Sequence, residues 1–418
     1  MGCDCHSVND TLMPFEQALS FLLNTARNAN IELSAEQIPL IDALDRILTK
    51  PIHSGINVPV HSNSAMDGYG LATAYCDENS EFEVVANVLA GDDFNGELAP
   101  HQCVRIMTGA KIPKHVHSVV MQENVCRNGD KITLKKACKA GDNIRLAGED
   151  IQQGALLFEA GRQLSPADMG LLASVGIADV WVQRRLNVAV IATGDELISS
   201  GEALTPGKIY ESNRFTCIGM LKRLGINVID MGIVPDDVNL LEKNLLSASE
   251  QADVIISSGG VSVGDADYVK DVIEQKGNIG FWKIALKPGK PFAFGQFNQR
   301  FFLGLPGNPV SATITLDQLG MPFLKALQSK SLQSPILLTG KLSVALKKRP
   351  GRKELQRAWA EPDGQGQWRV TPFNQQGSGI LSSISNANCF IVLEREQGAQ
   401  QEGTEVHFQW LSEELANR

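Results

Sequence analysis

Apolar residues return at helical spacing over residues 14–30, where Ala18, Leu19, Leu22, Leu23 and Ala26 follow a proline start. The next segment, "IPLIDALDRILTKPI", is closed by Pro51. Over residues 53–146 the period shortens. Runs such as "EFEVVANVLAG" and "DKITLKKACKAG", bounded by Gly and Asn-Gly turns, predict a small β domain. A helix is then predicted from Ser165, with Pro166 at the first turn, Asp168 completing the cap and Gly176 as the stop. Grouped with the N-terminal helix, it defines one domain of residues 1–52 and 147–184, with 53–146 inserted into it.

From Leu186 the pattern becomes strand, loop, helix. "NVAVIAT", "INVIDMGIV" and "DVIISS" read as strands, and "NRFTCIGMLKRLG", "DVNLLEKNLLSASEQA" and "DADYVKDVIEQK" as helices between them. Strands "FWKIAL", "PFAFGQF" and "RFFLGL" then lead to a helix over "PVSATITLDQLGMPFLKAL". Such alternation predicts a doubly wound, mostly parallel α/β domain over 185–328. After "QSKSLQSP" short alternating runs return, giving a C-terminal β domain over 335–418. The fold class is therefore multidomain, α/β and β.

Composition narrows the function classes. The 418 residues are 43% hydrophobic and 20% charged, as in ordinary globular protein. A net charge of −9 and a pI near 5.4 exclude general nucleic-acid binding, which needs a basic face. No apolar run approaches the ~20 residues of a membrane span. The start "MGCDCHS" has no leader, and His6 breaks the myristoylation pattern. Cys3, Cys5 and His6 are too close together for a tetrahedral metal site and lack a fourth ligand. The eight scattered cysteines then read as reduced thiols of a cytoplasmic protein.

In open α/β sheets, ligands bind beyond the carboxyl ends of the strands. Here those exits carry "TGDEL" with Asp195 and Glu196, "SSGGVSVGDAD" with Asp265 and Asp267, and "PGNPVSA", where Asn308 is placed to cap a helix begun by Pro309. "PDD" adds Asp236 and Asp237. Lys283, Lys287 and Lys290 surround the turn in "WKIALKPGKPFAF". Lysines and free helical N–H groups suit an oxyanion, and the acids suit a divalent cation bridging it. The residues alone thus indicate a metal-assisted site for a phosphorylated ligand. "NSAMDGYG" and "RIMTGAKIP", taken singly, read as tight turns.

Six motifs in this order, "NSAMDGYG", "RIMTGAKIP", "TGDEL", "SSGGVSVGDADY", "KPGKPFAFG" and "GLPGNPVSA", resemble the molybdopterin molybdenumtransferase family, which includes the E domain of gephyrin-like proteins. "GEDI", "ELQR" and "QQGSG" extend the likeness, which runs from about residue 14 to the end. The resemblance implies insertion of molybdenum from molybdate into adenylylated molybdopterin, with release of AMP and a need for Mg²⁺. It implies a homodimer of elongated four-domain subunits, a central α/β domain of molybdopterin-binding type and a barrel-like C-terminal domain. Transient contact with the adenylylating enzyme and with molybdoenzyme maturation factors follows from the same place in cofactor assembly.

Carried over residue by residue, the resemblance implies catalytic parts for Asp67, Thr108, Glu196, Asp236, Asp267, Lys283 and Lys287. The metal ligands would be drawn from Asp267, Asp236 and Glu196. Substrate contacts would come from Ser258, Gly259, Gly260, Ser262, Asp265, Lys290, Pro306, Asn308, Pro309, Arg357 and Ser378. Lys287, Lys290, Arg357 and the Ser378 hydroxyl make a chemically sensible cradle for molybdate, a tetrahedral dianion. Two other readings compete: an adenylyltransferase with a similar "SSGG" loop, and a molybdopterin-binding scaffold. The first 180 residues and the C-terminal β domain argue against the small single-domain adenylyltransferase. The intact acids argue against a scaffold.

Overall fold

A computed structural model describes residues 12–29, 31, 33–259, 277–330, 332 and 334–416. The chain divides into two compact units, Ala35–Gln183 and Met1–Ser34 with Arg184–Arg418.

In the larger unit a six-stranded sheet runs in the order Asn227–Val234, Asn187–Thr193, Val254–Ser258, Arg300–Leu305, Pro291–Phe297, Gly277–Lys283. Its first four strands are parallel, and Pro291–Phe297 is antiparallel to both neighbours. The doubly wound sheet is therefore mixed at one side. The turn Asn298–Gln299, with φ of 47° and 65°, lets Pro291–Phe297 fold straight back onto Arg300–Leu305 without a crossover helix. The "FWKIAL" strand lies earlier than predicted, over Gly277–Lys283, because Lys283 already pairs with Pro291.

Strand Val254–Ser258 is buried at every residue, as a central parallel strand must be. Helices Asn213–Arg223 and Val238–Gln251 and the segment 309–327 cover the sheet. Segment 309–327, read from sequence as one helix, carries a π-helical stretch over Leu316–Gly320. Phe294, Phe301 and Phe323 meet at centroid separations of 5.0–6.1 Å in this core. Truncating a buried ring such as Phe323 to alanine would cost about 3–5 kcal/mol.

The N-terminal helix Phe15–Arg27 packs Phe15, Ala18, Leu22 and Ala26 into the same core. In the smaller unit, Leu172 of the helix Pro166–Ser174 belongs to a cluster with Leu40, Leu48 and Val182. Periodicity identifies a buried face, but it does not say which core that face enters.

The C-terminal region closes a five-stranded barrel in which Lys353–Pro362 pairs with both Trp368–Pro372 and Cys389–Leu393. The short strand Leu286–Lys287 adds to Lys353–Pro362 in parallel. In the smaller unit the main sheet runs Ser118–Met121, Gly68–Leu71, Gln102–Ile106, Glu81–Val88, Lys131–Leu134, Val125–Asn128. The predicted helix there carries a full capping box between Ser165 and Asp168.

Candidate active site

The parallel strands deliver three acids to neighbouring exits. Asp195 and Glu196 follow strand Asn187–Thr193, and Asp236 follows Asn227–Val234. The exits are tied to each other: the Asp236 N–H donates to Asp195 Oδ1 at 3.1 Å, and the Asp195 N–H donates to Asp236 Oδ2 at 3.4 Å. Gly194 has φ of +148°, and a Cβ there would lie 2.6 Å from Glu196 Oε2, so only glycine lets that carboxylate fold back. Burial, with repulsion from Asp195 and Glu196, holds the Asp236 carboxyl above the usual aspartate range, against the backbone bond that lowers it. Asp237 caps the next helix by accepting from the Leu240 N–H at 2.9 Å. Of the two acids in "PDD", one is structural.

At the third exit Ser258 is buried and Gly259 has φ of +93°. A Cβ at Gly259 would fall 2.6 Å from the Thr193 carbonyl oxygen, so the loop leaves the sheet against its neighbour's backbone. Thr193 Oγ1 is buried there without a hydrogen-bond partner among the described residues. Gly260, Ser262, Asp265 and Asp267 lie outside the described residues, as do Cys3, Cys5 and His6. Among the described residues no three acidic, histidine or cysteine side chains form a ready metal site.

At the exit of Arg300–Leu305, Pro306 is buried and Pro309 opens the helix. Asn308 does not cap with its side chain; its carbonyl accepts from the Ala312 N–H at 2.9 Å. The Val310 N–H is also taken, by the Ser378 carbonyl at 3.0 Å, so this helix start is less open than its sequence suggests. The same bond brings Ser378 beside "PGNP". Asn213, which the sequence reading passed over, donates to the Gly307 carbonyl at 2.8 Å and steadies the turn.

The lysines sit on a turn fixed from two sides. A Cβ on Gly289, at φ of +120°, would lie 2.6 Å from Thr315 Oγ1. Lys290 is exposed and Lys283 half-buried. Lys287 pairs through its backbone with Glu354 and through Nζ with Glu354 Oε1 at 2.9 Å. Glu354 was missed because its strand is buried on both faces, which erases the alternation that would single it out. Arg357 is 1% exposed. It donates from Nε to Ser383 Oγ at 3.0 Å and from Nη2 to the Gly377 carbonyl at 3.1 Å, buttressing the loop that presents Ser378. Burial pulls its pKa down to about 10, opposed by the charge of Glu354.

In the smaller unit "NSAMDGYG" and "RIMTGAKIP" meet. Asp67 Oδ1 accepts from both the N–H and the hydroxyl of Thr108, each at 2.8 Å, and these bonds hold the carboxyl below its usual range. Gly68 admits no side chain, since a Cβ would sit 2.1 Å from the Val120 oxygen. Arg105 donates to the Gly68 carbonyl at 3.2 Å and lies 5.0 Å from the Tyr69 ring centre. The two motifs form one polar constellation rather than two unrelated turns.

Three family descriptions match successive parts of the chain: "MoeA N-terminal region (domain I and II)" over residues 13–176, "Probable molybdopterin binding domain" over 189–326 and "MoeA C-terminal region (domain IV)" over 339–411. The chain is 44% identical over 391 residues to the molybdopterin molybdenumtransferase of Haemophilus influenzae, covering 92% of this chain and 97% of that protein. It is 34% identical over 317 residues to the enzyme of that name from a Nostoc species, covering 74% and 73%. Among solved structures, a molybdopterin biosynthesis MoeA protein from Pyrococcus horikoshii superposes with a TM-score of 0.78 at 30% identity, covering 96% of this chain and all of that one.

Proposed function

Because the chain belongs to the MoeA family of molybdopterin molybdenumtransferases, we propose that its strand-exit acids and its lysine turn form the site of molybdenum insertion. The chain is a molybdopterin molybdenumtransferase acting on small molecules of the molybdopterin class. The detailed reaction we assign is attack on the phosphoanhydride of adenylylated molybdopterin, releasing AMP while molybdate supplies the metal. Molybdenum here is substrate and not a resident cofactor. The adenylyltransferase and scaffold readings are not favoured.

The observation that carries the site reading is the reciprocal bonding of Asp195 and Asp236 across adjacent strand exits. Asp236, held above its ordinary range by burial and further by the charges of Asp195 and Glu196, suits a divalent cation, whose charge would relieve it. Mg²⁺ would be held by Asp236 and Glu196 with Asp267, and when bound it offsets charge on phosphate oxygens. Lys283 and Lys287 carry catalytic parts in this scheme, and Lys287 and Lys290 meet the molybdate oxyanion. Ser258, Gly259, Gly260, Ser262 and Asp265 meet the nucleotide phosphates, with Pro306, Asn308 and Pro309 shaping the neighbouring wall. Ser378 contributes its hydroxyl from a loop set by Arg357. Asp67 and Thr108 carry catalytic parts in the smaller unit.

The working form we propose is a cytoplasmic homodimer with the four-part division 1–52 with 147–184, 53–146, 185–328 and 335–418. It would make passing contacts with the enzyme that adenylylates molybdopterin and with maturation factors that take the product. No helix among the described residues is long and apolar enough to cross a membrane. The test is AMP release from adenylylated molybdopterin with molybdate and Mg²⁺ each supplied or withheld. Release should need both; output that ignores molybdate removes the proposal.

A further inference from the structure

Glu354 is 3% exposed, and its charge faces three cations at once. Lys287 Nζ donates to its Oε1 at 2.9 Å, and Gln356 Nε2 donates to the same oxygen at 3.0 Å. Lys348 and Arg357, both buried, feel the same carboxylate, which favours their charged forms against the pull of burial. Lys348 Nζ donates to the Gln397 carbonyl at 2.8 Å and to the Arg395 carbonyl at 3.4 Å. Lys287 remains the outward member of the group, with its side chain 44% exposed. An ammonium has three donors, and Glu354 takes one, so two stay available to an incoming anion.

A tetrahedral dianion that reaches Lys287 therefore also meets the field of a fixed, buried carboxylate. That field subtracts from the attraction of the lysine. We propose that Glu354 is a specificity-determining residue, an internal counter-ion that keeps oxyanions at Lys287 weakly held and exchangeable. The proposal rests on the assignment of Lys287 to the molybdate-binding site. An all-cationic cradle would retain sulfate and phosphate as readily as molybdate. With part of its charge offset by Glu354, the cradle grips oxyanions less strongly in the ground state, and discrimination passes to the reacting step.

The direction of this effect separates it from structural damage. Glu354→Gln keeps the shape and an acceptor for Lys287 and Gln356 while removing the charge. In the full-length protein, equilibrium titration with inorganic molybdate and with sulfate should show both binding about tenfold tighter. Sulfate should inhibit AMP release correspondingly more strongly, with no rise in kcat. Glu354→Asp keeps the charge on a shorter side chain and should leave anion affinity within about twofold of wild type. In Glu354→Gln combined with Lys287→Ala, the tightening should vanish. Unchanged or weaker anion binding in Glu354→Gln overturns the proposal, and so does equal tightening in Glu354→Asp. Wild-type AMP release indifferent to molybdate, with anion binding still tightened in Glu354→Gln, overturns instead the assigned reaction.

Discussion

Asp67 and Asp236 are the same side chain in opposite settings. Asp67 is exposed, yet two bonds from Thr108 hold its carboxyl below the usual range. Asp236 is half-buried among other acids, and its carboxyl lies above that range. The first is satisfied by donors of its own fold, which fix where its carboxylate stands. The second is left in debt of positive charge, which is the condition expected where a cation belongs. The difference shows that an acid within a motif is not one kind of object, and that its neighbours decide its part.

The comparison breaks first at Asp236. Asp236→Asn should lower molybdate-dependent AMP release about a hundredfold or more, by analogy with other groups that act at the reacting phosphate, while the fold persists. Retained turnover would move Asp236 to a structural part. Lys287→Ala comes next. It should raise the molybdate concentration needed for half-maximal AMP release about tenfold with kcat less affected, because a binding cation and not a proton carrier is lost. A fall confined to kcat would contradict its placement as an anion contact.

Asp67→Asn tests the other side. It should weaken the tie to Thr108 and leave the Thr108 amide faster to exchange its hydrogen, with the Gly109 amide little changed, since it donates to the Ser64 carbonyl at 2.8 Å. An amide as protected as in wild type would show that the Thr108 backbone does not depend on that carboxylate.

The smallest effect is in pH. Asp67, lowered from 3.8, contributes stability present above that value and lost as pH falls through its depressed folded pKa. Asp236, raised from 3.8, has the opposite sign: its contribution is full below 3.8 and lost as pH rises through its elevated folded pKa. Melting temperatures of Asp67→Asn and Asp236→Asn, measured against wild type from acid to neutral pH, should therefore diverge. The first should fall behind as pH rises towards 3.8 through the depressed folded value of Asp67, and the second should gain as pH rises past 3.8. Parallel curves would mean that the two settings do not differ in the folded protein.

Periodicity served best where one physical rule governs. The parallel strands and the helices Asn213–Arg223 and Val238–Gln251 follow from alternating apolar runs and caps, and the structure places them within a residue or two of the pattern; the helix predicted over "DADYVKDVIEQK" lies outside the described residues. It served least where partners lie far apart in sequence. Thr108 is the partner of Asp67, and residue spacing alone gives no sign of that bond. Helix Phe15–Arg27 shows its apolar face plainly, but the core it enters is set by tertiary packing. The π-helical stretch at Leu316–Gly320 leaves the apolar spacing of its helix readable as α. Glu354 and Arg357 sit on a strand whose buried run, Glu354 to Ala358, hides which charges matter. Family motifs, not composition, separated molybdate chemistry from phosphate chemistry in general.

The two-residue ladder between Leu286–Lys287 and Lys353–Glu354 has a consequence for how this chain tolerates change in length. A slip by one residue would set Lys287 against Lys353 or Leu355 in place of Glu354, replacing attraction with repulsion or with no partner. Insertions between these segments are therefore absorbed where the described residues form no sheet pairing, such as the turn before Lys353. The ladder acts as a ruler, and descendants of this sequence that lengthen or shorten the intervening chain must still arrive at Glu354 on the mark.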